Sequence, residues 1–441
     1  MSGVRDFVKK SLFPRHSRLG RLLRRARRAF VDKRYAPPYD KAELLARAEE
    51  LNRNAEAYWR AVDADPSARA DALHKPWTTI EDASNIFYRF GLTLAALRLG
   101  VGHLVLDLGA GTCWLSAYLN RLGCRTISMD ISPTALKLGR ERFRLDPSQK
   151  MDLDPQFVVY DGRVLPLPDE SVDRVVCFDA FHHVPNPNEI LAEIHRVLSR
   201  GGRAVFAEPG EGHERSSLAR FEIQRFGVLE NELDLEALAD EAKRLGFTDF
   251  LVKPYPDASA MTLSAREYFE LMDGHDRFFP IDGLRRSLRD FYLFILVKGP
   301  EALDSRNPGK LRAVLDVPAA ARVIRGPAGS PGRIPCTVRN GGDTLWLHEA
   351  LLSGGYVRLG GHLLEEDSTV LAWDYFRAPL PESVPAGGTV FVNAEFRLPE
   401  KPGQYILRLD LVDENVAWFA QRGSETVDVE LAAGPASVGG P

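Results

Sequence analysis

The 441-residue sequence predicts an α/β fold in three parts: N-terminal helices, a doubly wound sheet with an antiparallel closing hairpin, and a C-terminal antiparallel β-sandwich. Between residues 104 and 299, short apolar strands alternate with helical segments, which is the pattern of βαβ units. Between 311 and 431, helical spacing disappears and short alternating strands recur between turn residues. The length favours several domains, and the 44% hydrophobic and 27% charged fractions exclude a largely disordered or fibrous chain.

Residues 1–40 form a basic arm, with twelve Lys or Arg against three Asp, although the whole chain has a net charge of −4. Apolar residues recur on one face of a helix there: Leu19, Leu22, Leu23, Ala26 and Phe30. A basic amphipathic helix favours peripheral contact with an anionic membrane through residues 1–34. A solvated arm, or a helix packed on an acidic patch of the same chain, is the alternative. We expect no nucleic-acid partner, because no recognisable reading module accompanies the arm.

The sequence favours a cytoplasmic location, with the arm at the inner membrane face. No run of 18 apolar residues is present to span a bilayer. Residues 1–34 lack the continuous apolar stretch of a secretory signal. The cysteines form no CxxC pair, which disfavours a zinc site or a disulfide scaffold and fits a reducing compartment. They are Cys113, Cys124, Cys177 and Cys336.

The predicted domain boundaries follow these patterns. Residues 41–103 are a helical cap, because apolar residues recur there at helical spacing. The α/β domain, 104–299, has five predicted parallel strands: 104–108, 125–129, 157–160, 173–178 and 203–208. A helix at 234–245 precedes the runs of the closing hairpin, 247–253 and 291–298. The remaining predicted segments are a linker at 300–310, the sandwich at 311–431 and a disordered tail at 432–441.

The most informative stretch is the turn after the first strand, Leu104–Thr112 (LVLDLGAGT). The strand carries Asp107 near its end, and Gly109 and Gly111 precede a helix from about Trp114. Glycines at such a turn permit a tight bend and let a ligand lie against backbone N–H groups. Trp114 occupies the last position of GxGxxG, so the dinucleotide fingerprint fails. A plain turn in a degenerate nucleotide-binding domain is the alternative interpretation of the glycines.

Acidic residues follow the next two strands. Asp130 lies 23 residues beyond Asp107, where a carboxylate would accept both hydroxyls of a ribose. Its alternative role is a charge at the start of the helix that Ser132 would cap. After the third strand, Asp161 and Gly162 are suited to hold an adenine amino group.

Polar residues also end the fourth and fifth strands. Asp179, His182 and His183 follow the fourth strand, and Glu208 ends the fifth. Because ligands bind open α/β sheets at the carboxyl ends of their strands, all of these residues are candidates for one site.

In this order and spacing, the segment resembles the class I, Rossmann-like S-adenosylmethionine-dependent methyltransferases. The phrases LPLPDESVDRVVCFDAFHHVPNP and EIHRVLSRGGRAVFAEPG are also similar to that family's later motifs. The resemblance implies S-adenosyl-L-methionine as cofactor, with its methionine part at the glycine turn, ribose at the second strand and adenine at the third. The implied cofactor-binding residues are Asp107, Gly109, Gly111, Asp130, Asp161, Gly162 and Asp179. One departure is Cys113, where many members carry a third glycine.

The catalytic candidates follow from the need to remove a proton if the acceptor is a hydroxyl. His182 and His183 lie where that base is expected, with a purely structural histidine as the alternative for each. Glu208 is a further candidate and His213 a weaker one. No cluster of Asp and His predicts a metal site, so we expect no metal. Aromatic candidates for the acceptor pocket are Tyr255, Tyr268, Phe269, Phe278 and Phe279.

The C-terminal part contains VRNGG at 338–342 and PGQY at 402–405, which are turn sequences next to strands. Through them it resembles immunoglobulin-like accessory domains of bacterial polysaccharide-modifying enzymes. Its aromatic residues would stack on sugars or pack in the core: Trp346, Trp373, Tyr375 and Trp418. The resemblance implies a methyltransferase that O-methylates a glycan or a lipid-linked saccharide. The alternatives are a small molecule such as a quinone, a lipid headgroup, or a non-catalytic protein that uses the fold as a scaffold.

Overall fold

The computed structural model describes residues 41–77, 79–255, 262–275, 285, 287–300, 303–349 and 354–435. The basic arm and the last six residues of the predicted tail lie outside these ranges, as do Phe278 and Phe279. None of the helices within them combines the length and the apolar character that crossing a bilayer requires.

Helices form the first part of the described chain, as the apolar spacing predicts. Their bounds are α1 (Lys41–Ala46), α2 (Ala48–Ala64), α3 (Pro66–His74) and α4 (Ile80–Leu97). The side chain of Asp65 accepts hydrogen bonds from the N–H groups of Ser67 and Ala68, and Pro66 occupies the first helical position. This capped start separates α3 from α2 within one residue, so the two helices pack as a pair.

Seven strands form the sheet of the α/β domain. They are β1 (Leu104–Leu108), β2 (Arg125–Asp130), β3 (Gln156–Val159), β4 (Val172–Phe178), β5 (Leu198–Pro209), β6 (Asp249–Val252) and β7 (Phe291–Lys298). Their order is β3-β2-β1-β4-β5-β7-β6; β1 to β5 run parallel, and β7 runs antiparallel between β5 and β6. The predicted doubly wound sheet and closing hairpin are confirmed. Strand order reverses between β1 and its neighbours β2 and β4, and ligands bind at such a switch point.

Helices cover both faces of this sheet. They are α5 (Trp114–Arg121), α6 (Pro133–Leu145), α7 (Pro187–Val197), α8 (Ser217–Phe226), α9 (Leu235–Leu245) and α10 (Ala265–Met272). Side chains alternate between two cores, with Leu106 and Val175 in one and Val105 and Val176 in the other. The central strands β1, β4 and β5 are buried on both faces and are therefore mostly apolar, as is typical of parallel strands. The two cores hold the polar strand ends at one edge in fixed positions.

The C-terminal part is a β-sandwich, as predicted. Its strands are β8 (Ala313–Asp316), β9 (Val323–Pro327), β10 (Pro331–Asn340), β11 (Val357–Leu364), β12 (Val370–Pro379), β13 (Thr389–Arg397), β14 (Gly403–Asp413), β15 (Ala417–Trp418) and β16 (Val427–Gly434). One sheet has the order β13-β10-β8 and the other β12-β11-β14-β16-β9, with β15 paired to β14. Pairings are antiparallel except that β16 runs parallel to β9. This pairing extends β16 to Gly434, so the predicted disordered tail is wrong for residues 432–434.

The described part of the predicted linker is packed rather than free. Asp304 bridges to Leu345 of the sandwich, and the Arg306 carbonyl accepts a hydrogen bond from the Val101 N–H. The Arg306 guanidinium also lies 3.6 Å from the Asp173 carboxylate at the start of β4. Residues 303–310 therefore contact both the α/β domain and the sandwich.

Candidate active site

The turn after β1 has the backbone geometry that requires glycine. Gly109 and Gly111 have φ of +73° and +52°, in the left-handed region that side chains disfavour. A Cβ on Gly109 would lie 2.5 Å from the Ala180 Cβ, and one on Gly111 would lie 3.3 Å from the Trp59 ring. Cys113 also has a positive φ and is fully buried. The turn therefore brings bare backbone close to the edge of β4 and to α2.

Asp107 is buried beneath this turn and caps α5. Its carboxylate accepts hydrogen bonds from the Ser116 N–H at 3.1 Å and the Ser116 Oγ at 2.6 Å. The Ser128 hydroxyl donates in turn to Ser116 Oγ at 2.8 Å. Burial raises the pKa of Asp107 to about 7 in spite of these bonds. Its direct contact with the cofactor stays a prediction, since the structure gives the carboxylate a local role at the start of the helix.

Asp130 ties the end of β2 to the glycine turn. One carboxylate oxygen accepts from the Gly111 N–H and the other from the Ser132 N–H, each at 2.8 Å. Burial raises the pKa of the Asp130 carboxyl although both backbone groups donate to it. Ser132 caps α6 by accepting from the Ala135 N–H at 3.0 Å. Asp130 is compatible with both of its predicted roles. It binds the start of α6, as a charge at a helix start would, and it also lines the cavity described below, where a ribose-binding carboxylate would lie.

Asp161 and Gly162 occupy different environments at the end of β3. The Asp161 side chain is exposed and accepts from the N–H groups of Arg163 and Val164 at 2.8 and 2.9 Å, which lower the pKa of its carboxyl. It borders a shallow depression on the outer side of α2, whereas Gly162 lines the cavity. The adenine contact therefore stays a prediction, and of the two residues Gly162 is the one that lines the cavity.

Asp179 lies at the end of β4 with a φ of +50° and forms a two-pronged ion pair with Arg89 of α4. The two guanidinium nitrogens lie 3.0 and 2.5 Å from the two carboxylate oxygens. Burial opposes ionisation, but Arg89 lowers the pKa of Asp179. Arg89 also packs between the Phe178 and Phe291 rings and donates to the Ala207 carbonyl at 3.0 Å. No sequence pattern pointed to Arg89, which lies 90 residues before its partner.

A cavity of about 280 Å³ lies over the carboxyl ends of β1, β2 and β4. The cap helix α2 contributes Leu51, Asn52, Ala55, Tyr58 and Trp59 to its lining. The sheet side contributes Gly109, Gly111, Asp130, Tyr160, Gly162 and Asp179, and further lining residues are His183, Asn186, Glu222 and Glu230. Thus α2 covers the strand ends, as we expected of the helices that precede the first strand.

Glu56 fixes α2 in this position. Its carboxylate accepts from the Ser132 Oγ at 2.6 Å and the Thr134 Oγ1 at 2.7 Å, at the start of α6. At the other side, the Asn54 side-chain amide donates to the Gly227 carbonyl at 2.9 Å. The cover is therefore hydrogen-bonded to the elements on both sides of the cavity.

Glu208 is fully buried beneath the turn after β4. Its carboxylate accepts from the N–H groups of Ala180 at 3.2 Å, Phe181 at 3.0 Å and His182 at 3.3 Å, and from the His182 ring Nδ1 at 2.7 Å. These four bonds shape the short 3₁₀ helix Phe181–His183. Glu208 is therefore placed to position the histidines, which argues against its predicted role as a catalytic base.

His182 lies buried between two carboxylates. Its Nδ1 is 2.7 Å from Glu208 and its Nε2 is 3.5 Å from Glu230. Burial alone would lower the pKa of His182, but the two glutamates raise it to about 10. A ring that already carries both protons at neutral pH has no lone pair to accept another. This geometry argues against His182 as the predicted base.

His183 is the member of the predicted catalytic set that lines the cavity. Its side chain is 42% exposed, and its Nδ1 lies 2.5 Å from the Leu229 carbonyl. Since a carbonyl only accepts, Nδ1 carries the hydrogen and Nε2 keeps its lone pair. Loss of hydration and the charge on His182 lower the pKa of His183 to about 4.

Two carboxylates that the sequence interpretation missed complete the site. Glu230 is 2% exposed and lies 2.7 Å from His213 Nε2, and Glu222 of α8 is beside it. Burial opposes the ionisation of Glu230, but His182 and His213 lower the pKa of its carboxyl. Burial and the contact with Glu230 raise the pKa of Glu222 to about 7. His182, His213 and Glu230 converge to a group that could hold a metal ion, and the expectation of no metal stays a prediction.

The predicted aromatic pocket residues lie elsewhere. Tyr255 is buried in the core on the far face of the sheet, and Tyr268 and Phe269 are exposed on α10. The cavity takes its aromatic side chains from Tyr58, Trp59 and Tyr160 instead. Periodicity did not distinguish these roles, because an aromatic residue on an amphipathic helix fits a core and a pocket wall equally well.

Residues 106–206 match a family model described as a methyltransferase domain. The methyltransferase GfsG of Streptomyces halstedii is 29% identical over 141 residues, covering 32% of this chain and 50% of that protein. The demethylmenaquinone methyltransferase of Clavibacter sepedonicus is 35% identical over 139 residues, covering 32% of this chain and 54% of that protein. The chain thus spans about half the length of the curated relatives it matches.

Among solved structures, the phosphoethanolamine N-methyltransferase 2 of Haemonchus contortus in complex with S-adenosyl-L-methionine gives a TM-score of 0.35 at 19% identity. The alignment covers 52% of this chain and 60% of that one. The family match runs from β1 into β5 and contains the glycine turn, Asp130 and the pair His182 and His183. It confirms the predicted methyltransferase domain, and S-adenosyl-L-methionine stays the predicted cofactor.

Proposed function

We propose that this chain is an S-adenosylmethionine-dependent methyltransferase that O-methylates a hydroxyl group of an uncharged, saccharide-like acceptor. One observation carries the proposal: a single cavity is lined both by the glycine turn with Asp130 and by His183. The first group fits the adenosyl cofactor, and the second offers a proton acceptor next to it.

The residues at the turn fit the cofactor. Gly109 and Gly111 leave the backbone bare, and Asp130 presents a buried carboxylate whose oxygens each retain a lone pair for a ribose hydroxyl. When bound, the cofactor supplies a sulfonium methyl that an acceptor oxygen takes as the carbon–sulfur bond breaks, its electron pair going to sulfur, while the oxygen loses its proton. The helix α2, which lies over the strand ends, reduces the access of water to this point.

His183 is the group that we assign to that proton. Its Nδ1–H is held by the Leu229 carbonyl, so Nε2 is the ring atom left to accept from a hydroxyl. A positioned base contributes about 10²–10⁴-fold to such a step. We expect His183→Asn to lower kcat by about 10²-fold with cofactor affinity within about twofold of wild type; an unchanged kcat removes His183 from this role.

The charge of the lining bears on the acceptor. Glu222 and Glu230 both line the cavity, and carboxylates in a partly desolvated wall disfavour an anionic molecule. For the chain without a bound cation, we expect labelled methyl transfer to neutral saccharides to exceed transfer to uronic-acid analogues at least about tenfold, the factor that 1.4 kcal/mol of charge repulsion gives. A preference for the acidic analogues would contradict this assignment.

The sandwich supports a saccharide through Trp373. This ring is 48% exposed, and its centroid lies 4.1 Å from that of His362, which holds it against the sheet. A tryptophan ring that is held in place offers an apolar face on which a sugar ring can stack. Trp346 and Trp418 are buried and Tyr375 packs against the core, so core packing accounts for these three. In the full chain, Trp373→Ala should abolish retention on polysaccharide while Phe391→Ala, another exposed aromatic, retains it; equal retention would contradict this role.

A lipid-linked acceptor is supported by the charge of residues 1–34, which would hold the protein at the cytoplasmic face of an anionic membrane. Sedimentation with phosphatidylglycerol vesicles tests this part. Deleting residues 1–34 should abolish binding, and undiminished binding of the shortened chain would refute it.

A small apolar acceptor is the second candidate. Leu51, Val184, Val228 and Leu229 give the cavity an apolar wall, and one relative is named a demethylmenaquinone methyltransferase. Product analysis with quinone precursors and saccharides side by side distinguishes the two candidates.

Calorimetric titration of the full chain with S-adenosylmethionine tests the cofactor site directly. Asp130→Asn should weaken binding about tenfold or more, because hydrogen bonds to a charged group are worth about 1.5–3 kcal/mol. Asp161→Asn is the matched control, since that carboxylate faces away from the cavity, and it should change affinity less than about twofold. No binding by the wild-type chain would favour a non-catalytic scaffold.

A further inference from the structure

Next to the proposed acceptor site, three side chains from separate segments converge. His182 belongs to the 3₁₀ helix after β4, His213 to the 3₁₀ helix His213–Arg215 after β5, and Glu230 to the segment that precedes α9. One nitrogen of each ring and one carboxylate oxygen all lie within 4.8 Å of one another. We propose that these three residues bind one divalent transition-metal ion, with zinc as the probe.

The spacing of the donor atoms fits one ion. His182 Nε2 lies 3.5 Å from Glu230 Oε2, and His213 Nε2 lies 2.7 Å from the same oxygen. Tetrahedral ligands with metal bonds of 2.0–2.2 Å are about 3.4 Å apart. Small side-chain rotations, with release of the proton from His182 Nε2 as the metal binds, would therefore bring all three donors to bonding distance.

Glu208 orients one of these ligands. It holds His182 Nδ1 at 2.7 Å, so that Nε2 is the nitrogen that faces Glu230 and His213. A metal-binding histidine characteristically donates its other ring N–H to a carboxylate in this way. Glu208 is itself fixed by three backbone N–H groups, which makes the orientation independent of the metal.

An unpartnered buried oxygen is an independent indication of a ligand. Glu230 is 2% exposed, yet its Oε1 has no hydrogen-bond partner among the described residues. Oε1 shares its carboxylate with Oε2, the oxygen that lies near His182 and His213, so a cation bound there would compensate the charge of both oxygens. Glu222 adds a second carboxylate beside it, and two adjacent carboxylates are costly to bury unless a cation or a proton compensates them.

The ligand types select the class of metal. Two imidazoles and one carboxylate suit zinc and its first-row neighbours, whereas magnesium and calcium prefer oxygen ligands alone. Three protein ligands leave a fourth position, which is the arrangement of catalytic rather than structural zinc sites. Glu230 is the one of these three residues that lines the cavity, so an ion held by them would lie beside the acceptor site.

The inference deepens the proposed function and rests on it in one respect, namely that the open position receives an acceptor oxygen. When bound, the ion supplies Lewis acidity to that oxygen. This chain's own residues would hold the ion at the cavity wall and orient His182, while His183 remains on the cavity as the proton acceptor.

Metal binding is measured on the full chain after dialysis against a chelator, by cobalt(II) absorption and zinc competition. We expect one ion per chain and a loss of affinity of at least about tenfold in His213→Ala and in Glu230→Gln. His213 is partly exposed, so its variant should fold, and circular dichroism checks both. His348→Ala, in the sandwich, is the matched control and should bind like wild type.

Two outcomes overturn the proposal: no stoichiometric ion in the wild-type chain, or equal affinity in His213→Ala. Either would mean that protons alone hold this cluster together. Metal binding is measured without an acceptor or the cofactor, so its result distinguishes the metal-site hypothesis from the proposed methyltransferase function. Methyl transfer by a metal-free enzyme at full rate refutes the metal's role alone, whereas metal binding without cofactor binding refutes the proposed function alone.

Discussion

Glu208 in the α/β domain and Asp413 in the sandwich are both fully buried carboxyl groups with opposite surroundings. Glu208 accepts four hydrogen bonds, one of them from an imidazole. Neither oxygen of Asp413 has a hydrogen-bond partner among the described residues, and burial with nearby Asp304 and Glu414 raises its pKa to about 8. Near the cavity, hydrogen bonds and an imidazole compensate the charge of the Glu208 carboxylate and hold it in place. In the sandwich, the Asp413 carboxyl stays protonated and therefore uncharged.

The largest expected effect comes from Glu208→Gln. The amide cannot accept from the three N–H groups and the His182 ring together, so a buried cation loses its partner. Removing one member of a buried ion pair costs about 3–5 kcal/mol. Urea unfolding measures the free energy, and Glu395→Gln, in an exposed pair with Arg333, is the control that should change it by less than about 1 kcal/mol. If Glu208→Gln lowered the free energy of unfolding as little as the control does, Glu208 would not be a compensated buried charge, and its contrast with Asp413 would not hold.

A smaller effect, of opposite sign, is expected from Asp413→Asn. The folded pKa is above the unfolded value of about 3.9, so the folded state keeps a proton that the unfolded chain releases between about pH 4 and 8. Wild-type stability should therefore fall as pH rises through this window. The variant cannot ionise, so its stability relative to wild type should increase by about 2–4 kcal/mol between pH 5 and pH 9.

Unfolding at several pH values provides that measurement. Asp428→Asn, at an exposed carboxylate paired with Arg408, should leave the shape of the pH profile unchanged. Parallel profiles for Asp413→Asn and wild type would show that the Asp413 carboxyl ionises without cost in the folded protein.

Asp107 is the intermediate case, because hydroxyl and N–H groups compensate it without a counter-charge. Ser116→Ala removes one of its two hydrogen bonds and should cost about 1–2 kcal/mol of folding free energy. Ser171→Ala removes an exposed hydroxyl that donates to the Pro168 carbonyl and should cost less than about 0.5 kcal/mol. Equal values for the two would indicate that Asp107 is fully protonated and indifferent to Ser116.

Most of the fold was predictable because periodicity is local. The apolar runs at 104–108 and 291–298 coincide with β1 and β7, and the other strands differ from prediction by a few residues. The end of the sandwich was not predictable in this way. Residues 432–434 have the composition of a tail, but their pairing with β9 makes them a strand.

The candidate site was predictable where residues follow strands directly. Gly109, Gly111, Asp130 and Gly162 line the cavity because strand order places their turns at one edge. Asp130 and Asp161 have the same local context, a carboxylate after a strand that accepts two backbone N–H groups. They differ in burial, which depends on where α2 lies and therefore on contacts about 65 to 115 residues away in sequence.

The sequence by itself determined the order of the elements, the glycine turn and the acidic residues at the strand ends, since each depends on neighbouring residues and on the geometry of a strand followed by a helix. Only the tertiary structure decided the protonation and partners of the histidines. His182 and His183 are adjacent in sequence, yet one is enclosed by Glu208 and Glu230 and the other lies on the cavity. The reason is electrostatic: the charge of a buried imidazole is set by carboxylates within a few ångströms, and those come from distant segments.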